Sequence, residues 1–483
     1  MIAVKAPAIC HTGQFGGLCI TFRKICRSDL FYRHAGLVDF VTMIKSAFLL
    51  AVPLALLAQT DSAQTEYEGP SILSRGGPAS SIIRLPDISF RPYLGLNALY
   101  DTSLRGVTVD PNGRLRSSNE FGLQGTAGIY GRHKFRHSVI GLDYRGNYNH
   151  YPGNHFADST DQMLTLEFDH QLTRRLSFGL TEAVGTYTRN YLYTSASGLI
   201  DPGALILPQN GLFDNRVIYG QTGGAMTYRA SSRLSFNFGA AGFLTRYRSS
   251  SLFGLTGYSV TADAGYRLTR YTTLAMFYNF NHFEFTHSFG ASDIHTAGLG
   301  ISSRLSRSVE FSVQAGGARV ESLFLSAVRL DPVIAAITGQ TTGVQAIYDV
   351  RYVPTVRARL TKQMQRSRAE VSYGRSVNPG NGIFLTSRTE EATGSFSYQG
   401  LRHWSLSANV GYMKLGALAQ GIGTYTGYTA GLGVSRDLAH GLYWVLRGDE
   451  LHAATNNTIA NRNATRVTLG LSWSPGEIPL TLW

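Results

Sequence analysis

Four arginines stand out by their spacing. Arg351, Arg357 and Arg359 share one parity along a single segment, and Arg368 follows just beyond a short basic stretch. Successive side chains of an extended chain point to opposite faces, so equal parity means one shared face. On that face the guanidinium groups form a strip of fixed positive charge that attracts anions. Glu370 has the parity of Arg368, and similar sets recur as Asp143 with Arg145, Glu167 with Asp169, and Asp263 with Arg267. Glu310, Glu391, Arg447 and Asp449 extend the series. Opposite charges that face each other across a narrow aqueous space create a transverse field, which orients and filters polar solutes. The alternative is that these groups pair along a wall and keep it rigid and wet.

Other chemistry is sparser. His282-Phe-Glu284-Phe-Thr-His287 places an imidazole and a carboxylate on one strand face, and His150 and His155 flank a loop. Either could approach a metal, but a histidine at a strand end is the commoner arrangement, so no metal site is assigned. Gly298-x-Gly300 and Gly431-x-Gly433 fall inside strand-like segments and lack the helix that a dinucleotide site needs. There is no P-loop and no Gly-x-Ser-x-Gly elbow, and no spacing selects a Ser–His–acid triad. No catalytic residue, cofactor or enzyme activity is expected.

The longest connection, near 322–348, contains Leu330-Asp331-Pro332-Val333-Ile334-Ala-Ala-Ile337. Asp331 suits a helix N-cap, Pro332 the first helical position, and Gly339 a stop. An apolar helical loop is unusual on a wet surface. Asp331, Pro332, Ile334 and Ile337 are therefore candidates for a constriction folded into a lumen, or for a cap on its rim. Residues 195–213, with Leu205-Ile206-Leu207-Pro208, pose the same question.

The elements that position these residues read as strands. Leu234, Phe236, Phe238 and Ala240 alternate with Ser235, Asn237 and Gly239. Trp404 to Tyr412, Val309 to Ala315 and Val467 to Trp473 show the same period of two. Short basic connections near 133–137, 173–175, 230–233, 269–271, 306–308, 362–367, 400–403 and 437–441 interleave with longer polar ones near 101–117, 149–161, 191–214, 248–255, 286–292, 322–348, 377–387, 415–423 and 454–462. Eight short and nine long connections join eighteen strands. The expected fold is all-β: a transmembrane antiparallel up-and-down barrel of about 18 strands (16–18), with short periplasmic turns and longer extracellular loops. Tyr130, Tyr144, Tyr228, Tyr266, Tyr398, Trp404, Tyr443 and Trp444 are candidates for interfacial aromatic girdles.

Residues 43–63 have the layout of a secretory signal peptide: Lys45, a 12-residue apolar run from Ala47 to Ala58, and a small-residue exit. Residues 1–42 read as a misassigned or extended start, 64–87 as an irregular periplasmic lead-in, 88–474 as the barrel and 475–483 as a tail. The three cysteines, Cys10, Cys19 and Cys26, all precede this signal, so the rest has no disulfide framework. The formal charge is +13. Arg is spread along the chain rather than gathered in a patch, so no nucleic-acid partner is expected.

The chain ends in Trp483 after an alternating strand at Arg466–Trp473, although Ser474-Pro475-Gly476-Glu477-Ile478-Pro479 intervenes. Over roughly 88–483 the layout resembles Gram-negative outer-membrane barrels of porin-like type. The resemblance implies residence in the outer-membrane lipid and insertion by the barrel-assembly machinery, which reads an aromatic C-terminus; association into a homo-oligomer is left open by the sequence. An 18-strand barrel is too wide to be filled by its wall side chains and leaves an aqueous channel. The expected function is passive diffusion of small hydrophilic solutes. The alternative is a non-porin barrel for polymer export or for a structural or adhesive surface role.

Overall fold

The computed structural model describes residues 91–109, 115–188, 213–380, 382–418, 423–439, 441–456 and 461–474. The signal, the lead-in, the tail and most of 195–213 lie outside them. The described chain forms strands β1 (Arg91–Val109), β2 (Leu115–Lys134), β3 (Ser138–His150), β4 (Ser159–Thr173), β5 (Leu176–Tyr187) and β6 (Val217–Arg229). β7 (Leu234–Tyr247), β8 (Gly254–Arg267), β9 (Thr272–Thr286), β10 (Gly290–Arg304), β11 (Val309–Arg329) and β12 (Thr342–Gln363) follow. β13 (Ser367–Pro379), β14 (Thr386–Leu401), β15 (Trp404–Ala417), β16 (Thr424–Ala439), β17 (Leu442–Thr455) and β18 (Arg462–Trp473) complete the set. Among the described residues one short helix, α1 (Pro332–Thr338), and a 3₁₀ turn at His155–Ala157 interrupt the strands.

Each strand pairs antiparallel with its sequence neighbours, and β18 pairs with β1 from Leu94↔Trp473 to Asp101↔Arg466. The 18-stranded sheet therefore has no edge. Hydrocarbon offers backbone groups no partners, and a sheet satisfies them all only by closing on itself.

Alternation sorts the side chains. One face carries a belt of exposed apolar groups, including Phe121 at 75%, Leu432 at 69% and Leu96 at 65% exposure. The opposite face carries Asp101, Gln124, Asn149, Asp143 and Arg447, all buried. An apolar face turned outward and a polar face turned inward is the arrangement of a barrel in lipid. Pairing rows climb around the wall, as tilted strands require. One outward row runs from Gly131, near the short-turn end of β2, through Leu166, Glu182, Thr222, Tyr258 and His282 to Glu321 and Val350, well up β11 and β12.

Aromatics mark the short-turn end of the outer face. Tyr228 and Tyr266 are exposed there. Trp404 and Trp444 meet edge to face at 6.3 Å, and the Arg436 guanidinium lies 5.2 Å over the Trp404 ring. Tyr443, expected in this girdle, is 5% exposed and has the opposite parity, so it points inward.

β11 and β12 have 21 and 22 residues, whereas crossing the bilayer takes about 9–11. Pairing continues from Phe324↔Ile347 to Arg329↔Thr342, so most of the expected 322–348 loop is strand. The reason is that Leu323, Leu325, Val344 and Tyr348 keep the period of two, so the hairpin stands above the rim. α1 sits at its tip. Its local chemistry is as read from the sequence: Asp331 accepts the Val333 N–H at 2.9 Å, and Gly339 closes the helix at φ 67°. At this tip Val333 and Ile337 are 67% and 80% exposed.

Candidate functional site: the charged lumen

The fifteen charged candidates all have inward parity, set by exposed apolar neighbours on the same strands. On β3, Arg145 Nη2 donates to Asp143 Oδ2 at 2.8 Å, a pair two residues apart along one face. On β4, Glu167 and Asp169 follow, and the Asp169 carboxylate lies over the bare backbone of Gly179. On β8, Asp263 accepts from Asn237 Nδ2 at 2.6 Å.

The arginine strip lies on β12 and β13. Arg351 bonds Asp349 two residues away. Arg359 reaches both oxygens of Glu370, at 2.9 Å each, and Arg368 Nη2 joins Oε2 at 3.0 Å. One carboxylate thus orients two guanidinium groups. Counting Arg351, Arg357, Arg359 and Arg368 against Asp349 and Glu370, four positive charges meet two negative ones, and the wall keeps a net positive charge.

The two charged regions face each other. In a ring of eighteen, β3 and β12 are nine strands apart, as are β4 and β13. Glu167 and Asp169 lie six and four residues before Thr173, the short-turn end of β4. Arg357 and Arg359 lie six and four residues before Gln363, the short-turn end of β12. An acidic wall and a basic wall therefore stand opposite at matching depth. Charges on opposed walls at one level act on anything between them.

Sequence reasoning missed what narrows the other end. Residues 382–385 pack into the long-loop mouth instead of standing above it. Phe384, 1% exposed, packs with Met413, Leu415, Tyr425, Leu451, Ala453 and Ala464. Leu385 packs with Phe243, Leu255, Phe283, Ile294, Val320 and Val353 across the mouth. Gly382 anchors the crossing. Its carbonyl accepts the Phe253 N–H at 2.8 Å, its φ is +87°, and a Cβ would fall 2.7 Å from the Tyr247 ring. Phe213 joins the first cluster, and Asp214 accepts twice from Arg462 Nη2 at 2.9 Å. Among the described residues it is 213–214 and 382–385 that enter the mouth, while Asp331 and Ile337 of the candidate constriction stay exposed at the hairpin tip. The signal was present in Ile383-Phe384-Leu385, an apolar run inside a connection otherwise read as polar.

Beside this mouth lies a polar cluster that sequence separation hid. Arg466 Nε and Nη2 donate to Asp101 at 2.7 and 3.1 Å, and the Tyr151 hydroxyl donates to the same carboxylate. Below it, Asn97 donates to Gln124, Gln124 to Asn149 and Asn149 to Ser159, at 2.7–3.0 Å.

The His282 motif faces outward. His282 Nδ1 lies 2.6 Å from Asp293 Oδ1 and Nε2 lies 3.7 Å from Glu284, while His287 occupies the turn at φ 66°. His150 and His155 converge on Asp158, whose Oδ2 lies 3.1 and 3.4 Å from the two Nδ1 atoms. Desolvation raises the Asp158 pKa, but hydrogen bonds from the Tyr151 N–H and both imidazoles outweigh it and hold the carboxyl below its ordinary range.

No protein-family model and no curated protein matches the chain. Solved structures similar to it include Pseudomonas aeruginosa OpdQ, with TM-score 0.38 and 12% identity over 80% of this chain and 97% of that one. P. aeruginosa OccK2 (OpdF) in complex with glucuronate scores 0.39 at 11% identity, over 81% and 99%. Acinetobacter baumannii OccAB1 scores 0.38 at 10%, over 83% and 99%. Likenesses this distant add nothing to the strand register, which by itself establishes a closed barrel.

Proposed function

We propose that this chain is a passive channel in a Gram-negative outer membrane, passing small hydrophilic solutes with a preference for anions. The observation that carries the reading is the acidic β3–β4 wall set opposite the basic β12–β13 wall at matching depth. A polar solute between them feels a field across its path, and the net positive strip favours negative charge. The outward apolar belt and the edge-free sheet support residence in outer-membrane lipid; export through a cleaved signal rests on the layout of residues 43–63 alone, and insertion by the barrel-assembly machinery would follow from that residence. Side-by-side association into a homo-oligomer would use the outer face, where pairing with Leu166 places Glu182, hydrogen-bonded by the Thr222 hydroxyl, within the belt.

A second reading has its own observation. The 382–385 segment narrows the mouth, as a plugged barrel with a structural or export role would also require.

Single-channel recording in planar bilayers separates the two. Stable conductance steps are expected, with a salt-gradient reversal potential of the sign for anions. R357Q combined with R359Q should move that potential toward zero. A correctly folded, heat-modifiable barrel that never conducts would overturn the channel reading, and a cation-selective wild type would overturn the role of the arginine strip.

A further inference from the structure

We propose that His150, His155 and Asp158 form a binding site for a divalent transition metal of the zinc type, on the long-loop rim of the barrel. Their ligating atoms all lie within 4.8 Å of one another. With bonds of about 2.0–2.1 Å to a tetrahedral ion, ligand atoms sit about 3.4 Å apart. The two imidazole–carboxylate separations, 3.1 and 3.4 Å, are already at that spacing. Two imidazoles and one carboxylate are the donor set such ions take, and they leave a fourth position for water or an external ligand.

The loop is shaped by other contacts, so the ligands are held in place without an ion. Tyr151 is fully buried, with its hydroxyl on Asp101. The Asn154 N–H donates to the Tyr151 carbonyl at 2.9 Å, and Asn154 Nδ2 donates to Ser118 Oγ at 3.1 Å. The 3₁₀ turn then brings His155 back toward the end of β3, where the Tyr148 ring stacks parallel to His150. The carboxylate is oriented from behind, because Asp158 Oδ1 accepts the Tyr151 N–H at 2.7 Å while Oδ2 faces both imidazoles. A partner that fixes a ligating group in this way is the usual support of a metal site. His150 has the outward parity of Tyr148 and ends its strand on the long-loop side, which the channel reading, on which this point rests, places outside the cell. A metal there would tie the strand end to the turn and stiffen the connection whose Tyr151 holds Asp101 inside the mouth.

The alternative is that both imidazoles simply donate hydrogen bonds to Asp158. Zinc titration distinguishes them, using untagged barrel purified from membranes after expression of the full chain and stripped with a chelator. One equivalent of Zn²⁺ is expected to bind, and Co²⁺ should give visible d–d bands at the same stoichiometry. Losing an outer-shell partner weakens metal sites by about 10–100-fold, so loss of a direct ligand in H150A or H155A should cost about 100-fold. D158N guards against misfolding: its amide oxygen can still accept the Tyr151 N–H, but the anionic ligand is gone, and the Co²⁺ bands should vanish. If H150A/H155A and D158N bind as wild type does, or if folded wild type binds no Zn²⁺, the proposal is wrong.

Discussion

The energetics of single residues concentrate where charge is buried. Asp101 is 0% exposed, and the Arg466 side chain is 4% exposed. Breaking such a pair by removing one partner leaves an uncompensated charge and costs about 3–5 kcal/mol. D101A is therefore expected to lower the stability of the folded barrel by that amount. Y151F removes one hydrogen bond to a charged group, leaves the ion pair, and should cost about 1.5–3 kcal/mol. Urea unfolding in detergent micelles, followed by tryptophan fluorescence, orders the two variants. A D101A barrel as stable as Y151F would mean that water or another acceptor reaches Arg466. This cluster was not legible in the sequence. Asp101 and Arg466 are 365 positions apart and meet because closure pairs β1 with β18. The Asp143–Arg145 pair, two residues apart on one face, was legible for the opposite reason.

At the scale of elements, the period of two carried the reading. It placed the short turns and fixed which face of β12 the arginines occupy, because one apolar neighbour facing out sets the parity of a whole strand. It said less about where strands end, because the alternation of β11 and β12 continues above the rim. It was silent on loop packing, since a helix cap such as Asp331 specifies local geometry and not the direction in which the loop folds. The 382–385 crossing depends on contacts from both walls at once. F384A removes the side chain that fills the first of them, and core Phe→Ala changes cost about 3–5 kcal/mol. Here the loss falls on a connection and not on the sheet. The expected result is an unchanged folding yield with a larger or noisier single-channel conductance. A variant with wild-type conductance would show that 382–385 does not limit the passage.

For the whole molecule, the decisive question is which solvent meets the apolar belt. A closed antiparallel sheet with alternating faces can be imagined in water with its apolar face inside. The exposure pattern has the opposite sense: Leu432, midway along β16, is 69% exposed, while Arg447 and Asp449 are buried on the inner face of neighbouring β17. Substitution of a lone exposed leucine on a soluble protein shifts stability by about 0.5 kcal/mol at most. The same position at the bilayer midplane meets hydrocarbon, where an arginine costs about 2–4 kcal/mol. L432R, folded into liposomes, is thus expected to lose about 2–4 kcal/mol in urea unfolding. Moving the arginine along the same outward row toward either end of β16 should restore stability, since the penalty falls toward the interfaces. A flat response along β16 would mean that the belt does not face lipid, and the channel reading would lose its membrane. A peaked response would locate the midplane on the wall and show at what depth the opposed charges of β4 and β12 sit within it.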